Sequence, residues 1–123
     1  MRVGVIGSGL MGAKLGTIFA RAGHEVMFSY ARTEEKLKKL AREAGGKASA
    51  GTVRQAAQST DALLLAVHWS RLDDVLRQAG NLSGKVIVSC SLPMNRADTK
   101  LIHGTTTSGA EELAKRVRRA RIV

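Results

Sequence analysis

Three glycines stand at the spacing Gly7-Ser8-Gly9-Leu10-Met11-Gly12, directly after the apolar run Val3-Gly4-Val5-Ile6. A G-x-G-x-x-G turn that leaves a strand and opens a helix is the corner in which backbone closes on a pyrophosphate. Glycine is needed there because the chain turns tightly and because main chain must approach the anion closely. The N–H groups of the helix that follows point at the same anion. The chemistry of residues 7 to 12 is therefore recognition of a dinucleotide diphosphate.

Which dinucleotide is decided after the second strand. A site for NAD places Asp or Glu there to accept hydrogen bonds from the ribose hydroxyls. This chain has Phe28-Ser29-Tyr30-Ala31-Arg32, with no acid before Glu34. A carboxylate would repel a 2′-phosphate, whereas Ser29 and Arg32 would donate to it, the guanidinium in bidentate fashion. Lys36, one turn into the next helix, adds either a point charge or a solvated helix face. Tyr30, between the two donors, is grouped with them. The expected cofactor is NADP(H) rather than NAD(H).

A third group, Ala66-Val67-His68-Trp69, follows another apolar run. Ligands of open α/β sheets cross the carboxyl ends of the strands, which places His68 and Trp69 near the nicotinamide half of the cofactor. His68 is open to two readings, a ribose or diphosphate contact or a loop histidine. Trp69 is either a wall of the pocket or a packing residue at a helix start. Cys90, between Ser89 and Ser91, reads as a small apolar filler with no assured cation to lower its pKa. His103 has no visible partner. No general acid, general base or metal-ligand set stands out, so no catalytic residue is named and no metal is expected.

The elements that must position these groups alternate. Val3–Ile6 reads as a strand buried on both faces. Leu10–Ala22 reads as a helix with Leu15, Ile18 and Phe19 inward and Gly23 as its stop. Glu25–Ser29 is a second strand. Thr33 caps a helix with Glu34 and Glu35 in its first turn and cations later, which matches the dipole; Leu37 and Leu40 form its inner stripe and Gly45-Gly46 ends it. A short strand over Lys47–Ala50, a helix from Thr52 to about Gln58, a strand over Asp61–Val67, a helix over Ser70–Ala79 and a strand over Lys85–Cys90 follow. Ser108–Arg119 reads as a helix and Arg121–Val123 as the start of a sixth strand. Strict alternation predicts an α/β fold: a doubly wound parallel sheet with right-handed crossovers, in one Rossmann domain over residues 1–123.

Composition limits the partners. The chain has 123 residues, 44% of them hydrophobic and 24% charged, which suits one core. No apolar stretch is long enough to span a bilayer, and the N-terminus reads as a strand rather than a signal peptide. A lone cysteine fits a reducing compartment, so the expected location is cytoplasmic. Twenty Lys and Arg against 10 Asp and Glu leave a formal charge of +10, which steers a polyanionic small molecule. The basic clusters are Lys36, Lys38, Lys39 and Arg42, and then Lys115, Arg116, Arg118, Arg119 and Arg121. Only four aromatics (Phe19, Phe28, Tyr30 and Trp69) are present, too few for base-stacking platforms, which argues against nucleic acid. The apolar edge near Ile122-Val123 predicts pairing with a second copy, a homodimer.

Taken together, Val3-Gly4-Val5-Ile6-Gly7-Ser8-Gly9-Leu10-Met11-Gly12, Ala22-Gly23-His24-Glu25-Val26, Ser29-x-x-Arg32, Leu65-Ala66-Val67-His68-Trp69, Asp73-Asp74-Val75-Leu76 and Leu82-Ser83-Gly84-Lys85-Val86-Ile87-Val88 resemble the N-terminal domain of NADPH-dependent oxidoreductases of the deazaflavin (coenzyme F-420) family. Pyrroline-5-carboxylate reductases and the oxidoreductase domains of membrane metalloreductases share the same start. The resemblance covers nearly the whole chain. It implies hydride exchange between NADP(H) and a deazaflavin or flavin. It also implies that Ser8, Leu10 and Met11 line the diphosphate, that Ser29 and Arg32 hold the 2′-phosphate, and that Ala66, Val67 and His68 border the ribose and nicotinamide. In such a transfer the cofactors supply the reactivity and the protein supplies position. The sequence departs from the family in two places. Ser89-Cys90-Ser91-Leu92-Pro93-Met94 replaces an Asn-Pro turn, and the family's further C-terminal region, which helps form the second-cofactor site and the dimer, would follow Val123, so the expectation is either a domain fragment or a naturally short form. The alternative expectation is an NADP(H)-sensing module without turnover.

Overall fold

The central strand, β1 (Arg2–Ile6), is covered on both sides, and its neighbours set everything else. Val3 and Val5 point into one apolar layer and Ile6 into the other. The computed structural model describes residues 1–7, 9–89 and 121–122, and of Leu10, Trp69, Arg121 and Ile122 the backbone alone. The sequence-based expectations for Ser8, Cys90, the turn at Pro93 and Met94, His103 and a helix over Ser108–Arg119 lie outside the described residues.

Around β1 run α1 (Leu10–Arg21), β2 (Glu25–Ser29), α2 (Glu34–Ala44), β3 (Ala48–Ala50), α3 (Val53–Ser59), β4 (Ala62–Leu65), a 3-10 turn (Trp69–Arg71), α4 (Leu72–Ala79), β5 (Val86–Ser89) and β6 (Arg121–Ile122). All pairings are parallel and the strand order is β3-β2-β1-β4-β5-β6. This is the doubly wound α/β sheet that the alternation predicts, with α1 and α2 packed on one face and α3 and α4 on the other. Among the described residues no helix is long and apolar enough to cross a membrane.

Small residues let the helices approach. On α1 the line Gly12, Gly16 and Ala20 is buried against the sheet. A Cβ added at Gly16 would sit 2.7 Å from Cζ of Phe28, itself fully buried. On the opposite face a Cβ at Gly4 would meet the Ala56 carbonyl of α3 at 2.7 Å. This geometry corrects one expectation. Leu15 and Phe19 flank the contact line and pack on the core, but Ile18 is 58% exposed. It lies two residues, or about 200°, round the helix from Gly16. The inner stripe of α1 is thus set by its small residues and not by its large apolar ones.

The helix ends follow local chemistry. Thr33 accepts a hydrogen bond from the Lys36 N–H at 3.3 Å, and Gly45 closes α2 at φ 72°. α3 opens on a capping box: Thr52 Oγ1 accepts from the Gln55 N–H at 3.1 Å, and Gln55 Oε1 accepts from the Thr52 N–H at 2.9 Å. Thr52→Ala is expected to lower the free energy of unfolding by about 1 kcal/mol, read as a shifted urea midpoint with unchanged slope. The fourth strand is shorter than the apolar run implies. The Ala66 N–H still donates to the Ile6 carbonyl at 2.8 Å, but Ile6 is the last residue of β1 and the ladder ends there. The stretch expected to be helical from Ser70 begins instead as the 3-10 turn, and α4 proper starts at Leu72.

Candidate functional site

Strand register builds the site. Ile6 lies opposite Ser29 of β2 and opposite Leu65 of β4. The segments that follow, starting at Gly7, Tyr30 and Ala66, therefore leave the sheet side by side at its carboxyl edge. Two further bonds hold them together: the Gly7 N–H donates to the Ser29 carbonyl at 2.9 Å, and the Ala66 N–H to that of Ile6. Between the three segments lies a cleft of about 490 Å³. Gly7 and Gly9 line it from the first, Tyr30, Ala31, Arg32 and Lys36 from the second, and Ala66, Val67, His68 and Arg71 from the third.

The glycines of the turn do three different jobs. Gly7 sits at φ +116°, and a Cβ there would collide with the Ala66 carbonyl. Gly12 is buried, and a Cβ there would strike the Gly7 carbonyl. Both are required by the fold. Gly9, the N-cap of α1, is exposed at φ −72°, ψ −171°, a conformation open to any residue, and among the described residues a Cβ on it would meet nothing within 4 Å. Neither its backbone nor packing against the described residues explains glycine at this position. The first turn of α1 has no acidic residue and, among the described residues, no side-chain cap, so the positive end of its dipole suits an anion. Met11 is 57% exposed and is not among the described lining residues, so residue 11 offers an anion its backbone only.

Ser29 is a correction. Its side chain is fully buried and its hydroxyl donates to the Val5 carbonyl at 2.9 Å. A group committed to the sheet in this way cannot reach a phosphate outside it. The hydroxyl ties β2 to β1 directly beneath the cleft.

Tyr30 behaves differently from a simple lining residue. It holds φ +66°, the left-handed region, where a bulky side chain costs ~1–3 kcal/mol. Its ring packs on the core layer under α4, and its hydroxyl donates to Asp74 Oδ2 at 2.9 Å. Burial first, and then donation to Asp74, raise the Tyr30 pKa above that of a free phenol, so the donor keeps its proton. The same bond, with donation from Gln78 and Arg77, lowers the pKa of Asp74. These contacts offset the strain and pin the turn between β2 and α2 to the start of α4. Arg32 and Lys36 follow this turn and are exposed in the cleft.

His68 borders the cleft, and its Nδ1 accepts from the Ser70 N–H at 3.2 Å and lies 2.8 Å from Ser70 Oγ. Arg71 was not singled out from the sequence. The available signal is local: a cation at the N-cap of α4, where the helix dipole disfavours positive charge. The lining thus carries three cations and, among the described residues, no carboxylate. Among the described residues no group of three His, Cys, Asp or Glu side chains is arranged to hold a metal.

Known proteins share this architecture. A putative F420-dependent NADP reductase from Arthrobacter sp. FB24 superposes with a TM-score of 0.84 at 19% identity, over 98% of this chain and 60% of that one. An imine reductase from Streptomyces aurantiacus gives 0.73 at 25% identity, over 99% of this chain and 39% of that one. A reductive aminase from Aspergillus terreus, in complex with NADPH and ethyl-5-oxohexanoate, gives 0.71 at 23% identity, over 98% and 38%. The chain therefore spans three fifths or less of the length of these neighbours, and the likeness establishes the fold. No curated protein matches the sequence. The model of the NADP oxidoreductase, coenzyme F420-dependent, family matches residues 2–93, the stretch from the start of β1 to beyond the end of β5, and the chain belongs to that family.

Proposed function

We propose that the cleft binds NADP(H) and that the chain takes part in hydride exchange between this nucleotide and a deazaflavin or flavin. The observation that carries the reading is Gly9. Among the described residues, it is a glycine with no conformational or packing need, at the mouth of a helix whose first turn has no side-chain cap. Close approach of a diphosphate supplies the missing reason. The described residues fit the group in a second respect. Arg32 and Lys36 stand where a 2′-phosphate would lie and no carboxylate lines the cleft to repel it. The NADPH complex of the reductive aminase, which has the same fold, supports the same reading.

In this reading the first turn of α1 holds the diphosphate through backbone N–H groups, and Arg32 and Lys36 hold the 2′-phosphate. Ala66, Val67 and His68 border the ribose and nicotinamide, with His68 oriented by Ser70. A bound NADPH would supply hydride-donating chemistry at this edge of the sheet, beside Ala66, Val67 and His68. The chain's own contribution is position, as expected where cofactors carry the reactivity. A deazaflavin or flavin is proposed ahead of an imine because the matching family model is that of the F420-dependent oxidoreductases.

The test is direct. Purified protein is mixed with NADPH and, in turn, a deazaflavin, a flavin and a cyclic imine, and the reduced-nicotinamide absorbance is followed. Oxidation with the first two and not the third is the expected result. Tight NADPH binding with no oxidation by any acceptor would instead assign the chain a binding or sensing role. Equal affinity for NADPH and NADH would overturn the 2′-phosphate assignment.

A further inference from the structure

We infer that Arg71, reaching the cleft from the α4 side, is a third cation for the 2′-phosphate and so a determinant of preference for the phosphorylated nucleotide. The inference rests on the proposed NADP(H) reading and adds a residue from a segment outside the β2–α2 turn.

Arg71 closes the 3-10 turn and is the N-cap of α4, and its side chain makes no capping bond. The position is poor for a cation, since the helix dipole places positive charge beside it. Asp73 and Asp74 in the first turn suit that end of the helix. The carboxylate of Asp74 accepts from Tyr30, Arg77 and Gln78. Among the described residues no carboxylate pairs with Arg71, Arg32 or Lys36. Three like charges therefore face one cleft with, among the described residues, no acid on its walls. Such an arrangement favours an anion of more than one charge.

Tyr30 links Arg71 to the turn after β2. Both residues line the cleft, and Arg71 lies in the chain shortly before Asp74, the residue that accepts from the Tyr30 hydroxyl. Tyr30 is two residues before Arg32 and is tied to α4 through Asp74. Arg71 thus lines the same cleft as Arg32 and Lys36 and is joined to the turn after β2 through the Tyr30–Asp74 bond. A 2′-phosphate there would be held from two sides: by Arg32 and Lys36 after β2, and by Arg71 before α4. The guanidinium offers the paired donors that suit a phosphate face.

The experiment titrates NADPH, NADH, 2′-AMP and 5′-AMP against wild type, Arg71→Ala, Arg71→Gln and Arg32→Ala, with melting temperatures as the check on folding. Arg71 is exposed, so both of its variants should fold. The expected result is an increase of about tenfold in Kd for NADPH and 2′-AMP in both Arg71 variants, with NADH and 5′-AMP unchanged. Equal loss for NADPH and NADH would mean that Arg71 stacks on adenine or holds the diphosphate, and would overturn the inference. So would unchanged NADPH binding. If wild type discriminates and Arg32→Ala alone removes the discrimination, the Arg71 assignment falls and the NADP(H) reading stands. If wild type does not distinguish NADPH from NADH, both fall together.

Discussion

Alanine at Gly9 is expected to leave the protein as stable as wild type while NADPH binding weakens by about tenfold or more, the equivalent of ~1.4 kcal/mol per tenfold. Alanine at Gly7 is expected to do the reverse, destabilising the fold itself. The difference follows from what surrounds each Cβ. At Gly7 the backbone is at φ +116° and the new methyl meets the Ala66 carbonyl, so left-handed strain and overpacking add to about 3 kcal/mol or more. For a chain of 123 residues this is a fall in Tm on the order of 10 °C. At Gly9 the backbone is ordinary and, among the described residues, the methyl meets nothing; it projects toward the proposed diphosphate. Calorimetry on both variants, with NADPH titration of the folded one, separates the two jobs. A Gly9→Ala protein that binds NADPH like wild type would remove the observation on which the proposed function rests.

Arg32→Ala should act on affinity alone and only for the phosphorylated nucleotide. Arg32 is exposed and, among the described residues, forms no ion pair, so its removal leaves no buried partner behind. A charged hydrogen-bonding group is worth about 1.5–3 kcal/mol, so the Kd for NADPH should rise between about tenfold and a hundredfold while that for NADH stays put. Salt offers an independent check. Raising ionic strength should weaken NADPH binding to wild type more steeply than to the variant, because one screened contact is gone. Parallel losses for NADPH and NADH would place Arg32 on the adenine or the diphosphate.

Tyr30 links these predictions to the fold. It spends backbone strain to turn the chain after β2, and recovers it through core packing and its bond to Asp74. A strained aromatic residue held in this way, two residues before the cation proposed to select the cofactor, is the kind of rigid support that a specificity site needs.

Much of this was legible along the chain because it depends on near neighbours. The turn glycines, the Thr33 and Thr52 caps, the stops at Gly23 and Gly45 and the alternation of strands with helices are all short-range patterns, and each is found where periodicity and capping chemistry put it. Ile18 was misread because helical periodicity marks a large apolar residue as inward, whereas the sheet accepts α1 along Gly12, Gly16 and Ala20, where backbone comes closest. Ser29 was misread because a serine at a strand end looks the same in sequence whether its hydroxyl faces a ligand or the neighbouring carbonyl of Val5.

By itself, then, the order of residues determined the doubly wound sheet, the glycine turn at the end of β1 and the absence of an acid after β2, because strand and helix periods, turn chemistry and local charge are written within a few positions of one another. Only the tertiary structure decided which of the turn glycines the described backbone and packing require, that Ser29 is bonded within the sheet, and that Arg71 lines one cleft with Arg32 and Lys36. Those facts depend on the register of β1 against β2 and β4, which brings residues some forty positions apart to one edge, a distance over which no local pattern carries information.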